Sequence, residues 1–147
     1  MSWQEVFQVD DPKKVASFCE QNGIEYSWQQ NKVLQTQQIC QASLVHPKTG
    51  TKVWFNQAHL FHISALDNKN MLSLINEVGM KNLPRNAFYG DGSEIEIVAL
   101  EHIRDCYEKE KISFLWQEGD LMMLDNILFA HGREPYKGNR KVVVAMA

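Results

Sequence analysis

Residues 125–147 read DNILFAHGREPYKGNRKVVVAMA, and this stretch decides how the rest of the chain is read. The runs at 127–130 (ILFA) and 140–146 (RKVVVAM) have the β-branched and apolar composition of strands. Between them stand His131, Gly132 and Arg133, and Arg140 opens the second run. Imidazole is the usual protein ligand for iron, copper and zinc, and a strand end holds such a ligand in a fixed direction. The alternative for His131 is a ring packed at a strand end and hydrogen-bonded to backbone. Two readings also stand for the arginines. A guanidinium grips a carboxylate through two parallel hydrogen bonds, which an ammonium cannot do, so Arg140 or Arg133 could anchor a dicarboxylate near His131. Otherwise they make surface ion pairs with Glu134 or Glu118.

Working upstream, ISFLW (112–116) and DLMMLDN (120–126) read as two further strands, joined by a tight turn at Gly119-Asp120. SEIEIVALEHIRDCYEKEK (93–111) reads as a helix. Ser93 and Glu96 have the S-x-x-E spacing of a capping box, and Ile97, Leu100, Ile103 and Tyr107 fall along one face. Before it come a loop, LPRNAFYGDGS (83–93), and a short amphipathic helix, NMLSLINEVG (70–79). The strand KVWFN (52–56) leaves a turn marked by Pro47 and Gly50, and residues 31–47 hold two short strands. DDPKKVASFCEQNG (10–23) reads as a helix capped by Asp11, begun by Pro12 and stopped by Gly23, with Val15, Phe18 and Cys19 facing inward. Many short strands with a few helices give a mainly β fold with flanking helices, of the jelly-roll type, in a single domain over residues 1–147.

The totals narrow the function. With 15 basic and 18 acidic residues the chain has a net charge of −3 and no basic run, which argues against nucleic acid. No apolar stretch is long enough to span a bilayer, and no charged start with an apolar core opens the N-terminus. Cys19, Cys40 and Cys106 lie far apart and read as free thiols of a cytoplasmic protein. There is no G-x-S-x-G and no G-x-G-x-x-G, so a serine nucleophile and a dinucleotide lack their usual handles. His59 and His62 sit three apart and would share one face of a helical turn, but without the Glu of H-E-x-x-H they read first as packing residues. His46, before Pro47, reads as structural and His102 as solvated.

These motifs together carry a family resemblance. WQEGDLMMLDNILFAHGREPYKGNRKVVVAMA (116–147) is similar to the C-terminal segment of the taurine-dioxygenase-like superfamily of iron(II)- and 2-oxoglutarate-dependent oxygenases. HPKTGTKVWFNQAHLFH (46–62) resembles another segment of that superfamily, and LPRNAFYGDGSEIE (83–96) resembles its syringomycin-regulator-like branch. The resemblance implies a double-stranded β-helix, here a partial one, and iron held by two histidines and a carboxylate, with open positions for 2-oxoglutarate and oxygen. It makes His131 the distal histidine ligand. It gives Arg140 the grip on the far carboxylate of 2-oxoglutarate, with Arg133 as second choice. The substrate it implies is a small, amino-acid-like molecule.

One element of the family pattern is absent. The first two ligands come from an H-x-D or H-x-E motif, and none of His46, His59, His62, His102 and His131 has an acidic residue two positions on. The expectation is therefore a C-terminal portion of an oxygenase, weak or inactive alone, that pairs with a complementary N-terminal half or with itself. A non-catalytic binding module is the alternative. A cupin-like site joining His59 or His62 to His131 is a third.

Overall fold

The computed structural model describes residues 2–139 and 141–145. Helix α1 (Trp3–Phe7) starts from a reciprocal cap. The Glu5 N–H donates to Ser2 Oγ at 3.3 Å, and the Ser2 N–H donates to the Glu5 carboxylate at 2.7 Å. Helix α2 (Pro12–Gln21) follows the sequence closely: Asp11 accepts the Lys13 N–H at 2.9 Å and Pro12 begins the first turn. Gly23 then takes φ 64°, a left-handed turn that a side chain disfavours. Val15 and Cys19, one turn apart, are fully buried, whereas Phe18 lies 48% exposed and meets Phe7 edge-on at 5.6 Å. The inward assignment of Phe18 is thus corrected; it stands one position round the helix from the buried stripe.

The strands form two separate hairpins. Strand β1 (Glu25–Trp28) pairs antiparallel with β2 (Leu34–Gln37), Glu25 facing Gln37 and Trp28 facing Leu34. Strand β3 (Ser43–Val45) pairs with β4 (Lys52–Trp54), Ser43 facing Trp54. The second hairpin is closed tightly. The His46 N–H donates to the Thr51 carbonyl at 2.8 Å, the Gly50 N–H donates to the His46 carbonyl at 2.9 Å, and Gly50 takes φ 71°. Three helices complete the order: α3 (Ala58–Phe61), α4 (Asn68–Val78) and α5 (Ile97–Glu110). Asp67 caps α4 and Gly79 ends it. Helix α3 packs on α5, whose Leu100 is fully buried. No helix among the described residues is long and apolar enough to cross a membrane.

Two sequence expectations fail here. The Ser93–Glu96 capping box does not form. Asp91, two residues away, takes the Ser93 N–H at 2.9 Å and hydroxyl at 2.7 Å, and Glu96 takes the Tyr89 hydroxyl at 2.6 Å, so α5 starts without a side-chain cap. The second failure is larger. Among the described residues 112–116, 120–126, 127–130 and 141–145 contain no strand, and helix exceeds strand over the chain. Where the sequence reads as a mainly β fold with a partial double-stranded β-helix, the described residues form two small antiparallel hairpins among helices, and a double-stranded β-helix is not clearly formed among them. The reason is physical. Strand propensity describes a fit to a pleated, half-covered surface, and an extended segment becomes a strand only when a neighbour takes its N–H and C=O groups.

The uncovered segments show in the surface. The chain exposes 13013 Å². A compact monomer of its mass would expose about 7,700 Å². Leu115, Leu121 and Met123 stand more than nine-tenths exposed. The packed part is consequently small, and single core residues matter. Leu100→Ala should cost about 2–4 kcal/mol in urea denaturation. The neighbouring Val98→Ala, at a site 76% exposed, should change stability by less than about 0.5 kcal/mol.

Candidate functional site

The closed β3–β4 hairpin fixes a histidine whose ring is almost wholly buried. His46 is 4% exposed. Its Nδ1 accepts the Thr49 N–H at 3.0 Å, which leaves the proton on Nε2. Nε2 then donates to Asp125 Oδ2 at 2.9 Å, across 79 residues of sequence. The other oxygen of Asp125 accepts the Ile127 N–H at 3.0 Å, and its carbonyl accepts the N–H groups of Leu128 at 3.1 Å and Phe129 at 3.0 Å. One carboxylate therefore caps a turn and ties that turn to the hairpin. The His46 hydrogen bond, then the Ile127 N–H, hold the Asp125 carboxyl below the usual carboxylate range.

The turn leads directly to the residues the sequence singled out. His131 is exposed, and among the described residues no hydrogen bond or ion pair fixes its ring. Arg133 is exposed as well, and among the described residues Glu134 pairs with Lys111 at 3.1 Å. Arg140 lies outside the described residues. Among the described residues Lys111, which also reaches Glu108 at 2.7 Å, is the cation on Glu134, so the surface-pair alternative for Arg133 does not form with that residue.

His59 and His62 form a separate cluster between α3 and α5. Arg104 Nη2 donates to the His59 carbonyl at 2.9 Å and to Ser64 Oγ at 2.8 Å. His62 Nδ1 accepts the Ser64 N–H at 3.1 Å. The His59 ring stacks on Tyr107 with centroids 4.6 Å apart. Its Nδ1 is the one buried side-chain polar atom without a hydrogen bond among the described residues. Burial first, and the Arg104 charge second, push both imidazoles below their ordinary value of 6.5. A guanidinium beside neutral rings also repels a metal cation. Among the described residues no three or more His, Cys, Asp or Glu side chains stand together as a metal site. A three-residue centre joining His59 or His62 to His131 is not assembled among them.

Sequence reasoning took His46 as structural and missed Asp125. The two residues are 79 positions apart, so no local pattern links them; the only signal was a histidine set at the mouth of a turn. An open groove of about 560 Å³ between α1 and β2 has Lys32 as its single charged lining residue and offers no paired acid and base.

With this geometry in view, the comparisons with known proteins place the chain. The family profile of taurine catabolism dioxygenases, the TauD/TfdA family, matches residues 4–146, and the chain belongs to that family. Its members generally use iron(II) and 2-oxoglutarate on a jelly-roll fold. The chain is 41% identical to the dapdiamide synthesis protein DdaC of Enterobacter agglomerans over 146 residues, which is 99% of this chain and 44% of that protein. It is 22% identical to a clavaminate synthase-like protein of Arabidopsis thaliana, over 98% of this chain and 41% of that protein. No solved structure matches it. The chain thus spans less than half the length of these relatives.

The histidine cluster sets a pH dependence. Both rings have a folded-state pKa below the unfolded value, so the unfolded chain binds more protons at mildly acid pH. Stability is complete above 6.5 and falls as pH drops through it. Urea midpoints at pH 7.5 and 5.5 should show this loss, and His59→Phe, which keeps the stack on Tyr107, should reduce it.

Proposed function

We propose that this chain supplies the C-terminal share of an iron(II)- and 2-oxoglutarate-dependent oxygenase of the syringomycin-regulator-like branch, acting in the cytoplasm on a small amino-acid-like substrate. His131 is one metal ligand of three. Arg140 takes the far carboxylate of 2-oxoglutarate, and Arg133 is the second candidate for that grip. The observation that carries the reading is the family match over residues 4–146. The exposure of His131 supports it, because the ring is left open to a metal. The three free cysteines fit a reducing compartment.

The chain alone does not fit the metal. One imidazole gives little affinity without the geometry that a preorganised triad provides, and the described residues offer no cluster to complete it. The two remaining ligands come from a polypeptide segment bearing the H-x-D/E motif. That segment also brings strands. The surface it covers is the uncovered apolar stretch at 112–124, where Leu121 and Met123 are 96% and 94% exposed and Met122 and Leu124 between and after them 43% and 37%. This period of two is the signature of an extended segment with one face bare. The excess of roughly 5,000 Å² over a compact monomer is on the scale of an obligate interface, about 2,000–5,000 Å². It is more than an exposed loop requires. The absence of a three-residue metal cluster among the described residues also favours a second reading, a non-catalytic module that uses the same surface for binding.

The test is anaerobic titration with iron(II) and 2-oxoglutarate, following the visible charge-transfer band. The chain alone should give no band. Mixed or co-expressed with an N-terminal family segment carrying H-x-D/E, it should give one, and His131→Ala should remove it. Arg140→Ala should raise the 2-oxoglutarate requirement on the order of tenfold or more, as expected for losing a charge-assisted pair. No band with the complementary segment, or a band indifferent to His131→Ala, contradicts the oxygenase reading. Self-association of this chain that excludes the segment favours the binding module.

A further inference from the structure

We propose that His46 is the positioning residue for His131, acting through Asp125 as a clasp between the β3–β4 hairpin and the segment that carries His131. The purpose assigned to the clasp rests on the oxygenase reading; its existence does not.

Residues 111–145 contain no helix or strand among the described residues, so side chains must hold them to the packed part. Among the described residues two ion pairs lie on either side of His131. Glu134 meets Lys111 at 3.1 Å, but both side chains are exposed, and such pairs contribute little. Asp125 meets His46 at 2.9 Å, and there one partner is 4% exposed and already held by the Thr49 N–H. A hydrogen bond from a buried, oriented donor to a carboxylate is the stronger of the two. It also reaches further. The same Asp125 closes the turn through the N–H groups of Ile127, Leu128 and Phe129, so the hairpin fixes the direction in which the chain leaves towards His131.

The ring is suited to this role in a way that a simple packing residue is not. It uses both nitrogens in opposite senses, accepting on one side from the hairpin backbone and donating on the other to the distant carboxylate. Thr49 and Gly50 build the turn that presents the acceptor side. The clasp therefore joins two segments, 46–51 and 125–129, that have no strand pairing between them.

The test uses the isotopically labelled chain without metal. Amide exchange at Leu128 and Phe129 and the heteronuclear NOE at His131 are compared across variants. His46→Ala should speed exchange at Leu128 and Phe129 roughly tenfold and lower the NOE at His131, while amides of α5 stay protected. His46→Gln, which places an amide N–H near the Nε2 position, should recover most of the effect. Lys111→Ala should change either readout by less than about twofold. If His46→Ala fails to fold, Asp125→Asn serves: it keeps an oxygen for the Ile127 N–H and turns an N–H₂ group towards His46. Exchange and NOE unchanged from 127 to 131 in these variants, or changed equally in α5, overturns the clasp. Failure to form the iron band overturns the oxygenase reading and leaves the exchange ratios as they are.

Discussion

An extended backbone must pair its N–H and C=O groups, and residues 111–145 find no neighbouring strand among the described residues. The two hairpins close because each carries both of its strands and its own turn within about a dozen residues. The helices close because their hydrogen bonds are internal. The described residues of the four C-terminal runs have the composition of strands, pair with no strand and are largely exposed.

This arrangement explains why the packed part is thin. The fully buried side chains Val15 and Cys19 belong to α2 and Leu100 to α5, so burial is divided between separate small clusters. Small cores leave little free energy beyond the entropy of ordering the chain. It also explains the weight that falls on single polar contacts. His46 with Asp125 and Arg104 with His59 and Ser64 hold together segments that no sheet among the described residues joins.

Much of this was legible in the sequence, and the boundary is instructive. Helix α2, with Asp11, Pro12 and Gly23, and helix α4, ending at Gly79, could be read because caps and stops are local chemistry. The turn at Pro47 and Gly50 was legible for the same reason. The C-terminal runs read as strands because β composition reports a surface to lie against and says nothing of whether it is present. Asp91 displaced the expected Ser93–Glu96 box because three acceptors compete for the same few donors there, and spacing alone does not rank them. Of the candidate site, His131 and Arg133 were readable as chemistry and the family follows from their motifs; the His46–Asp125 contact was not, since its partners lie in different segments.

The segments at 112–116 and 120–124 lie open and lack a pairing strand among the described residues. Hydrogen–deuterium exchange of the isolated chain, diluted until it sediments as a monomer, addresses this directly. Amides from 112 to 124 should exchange at nearly unprotected rates while those of α5 and the β3–β4 hairpin exchange slowly. Protection across 112–124 equal to that of α5 in the monomer would contradict the account.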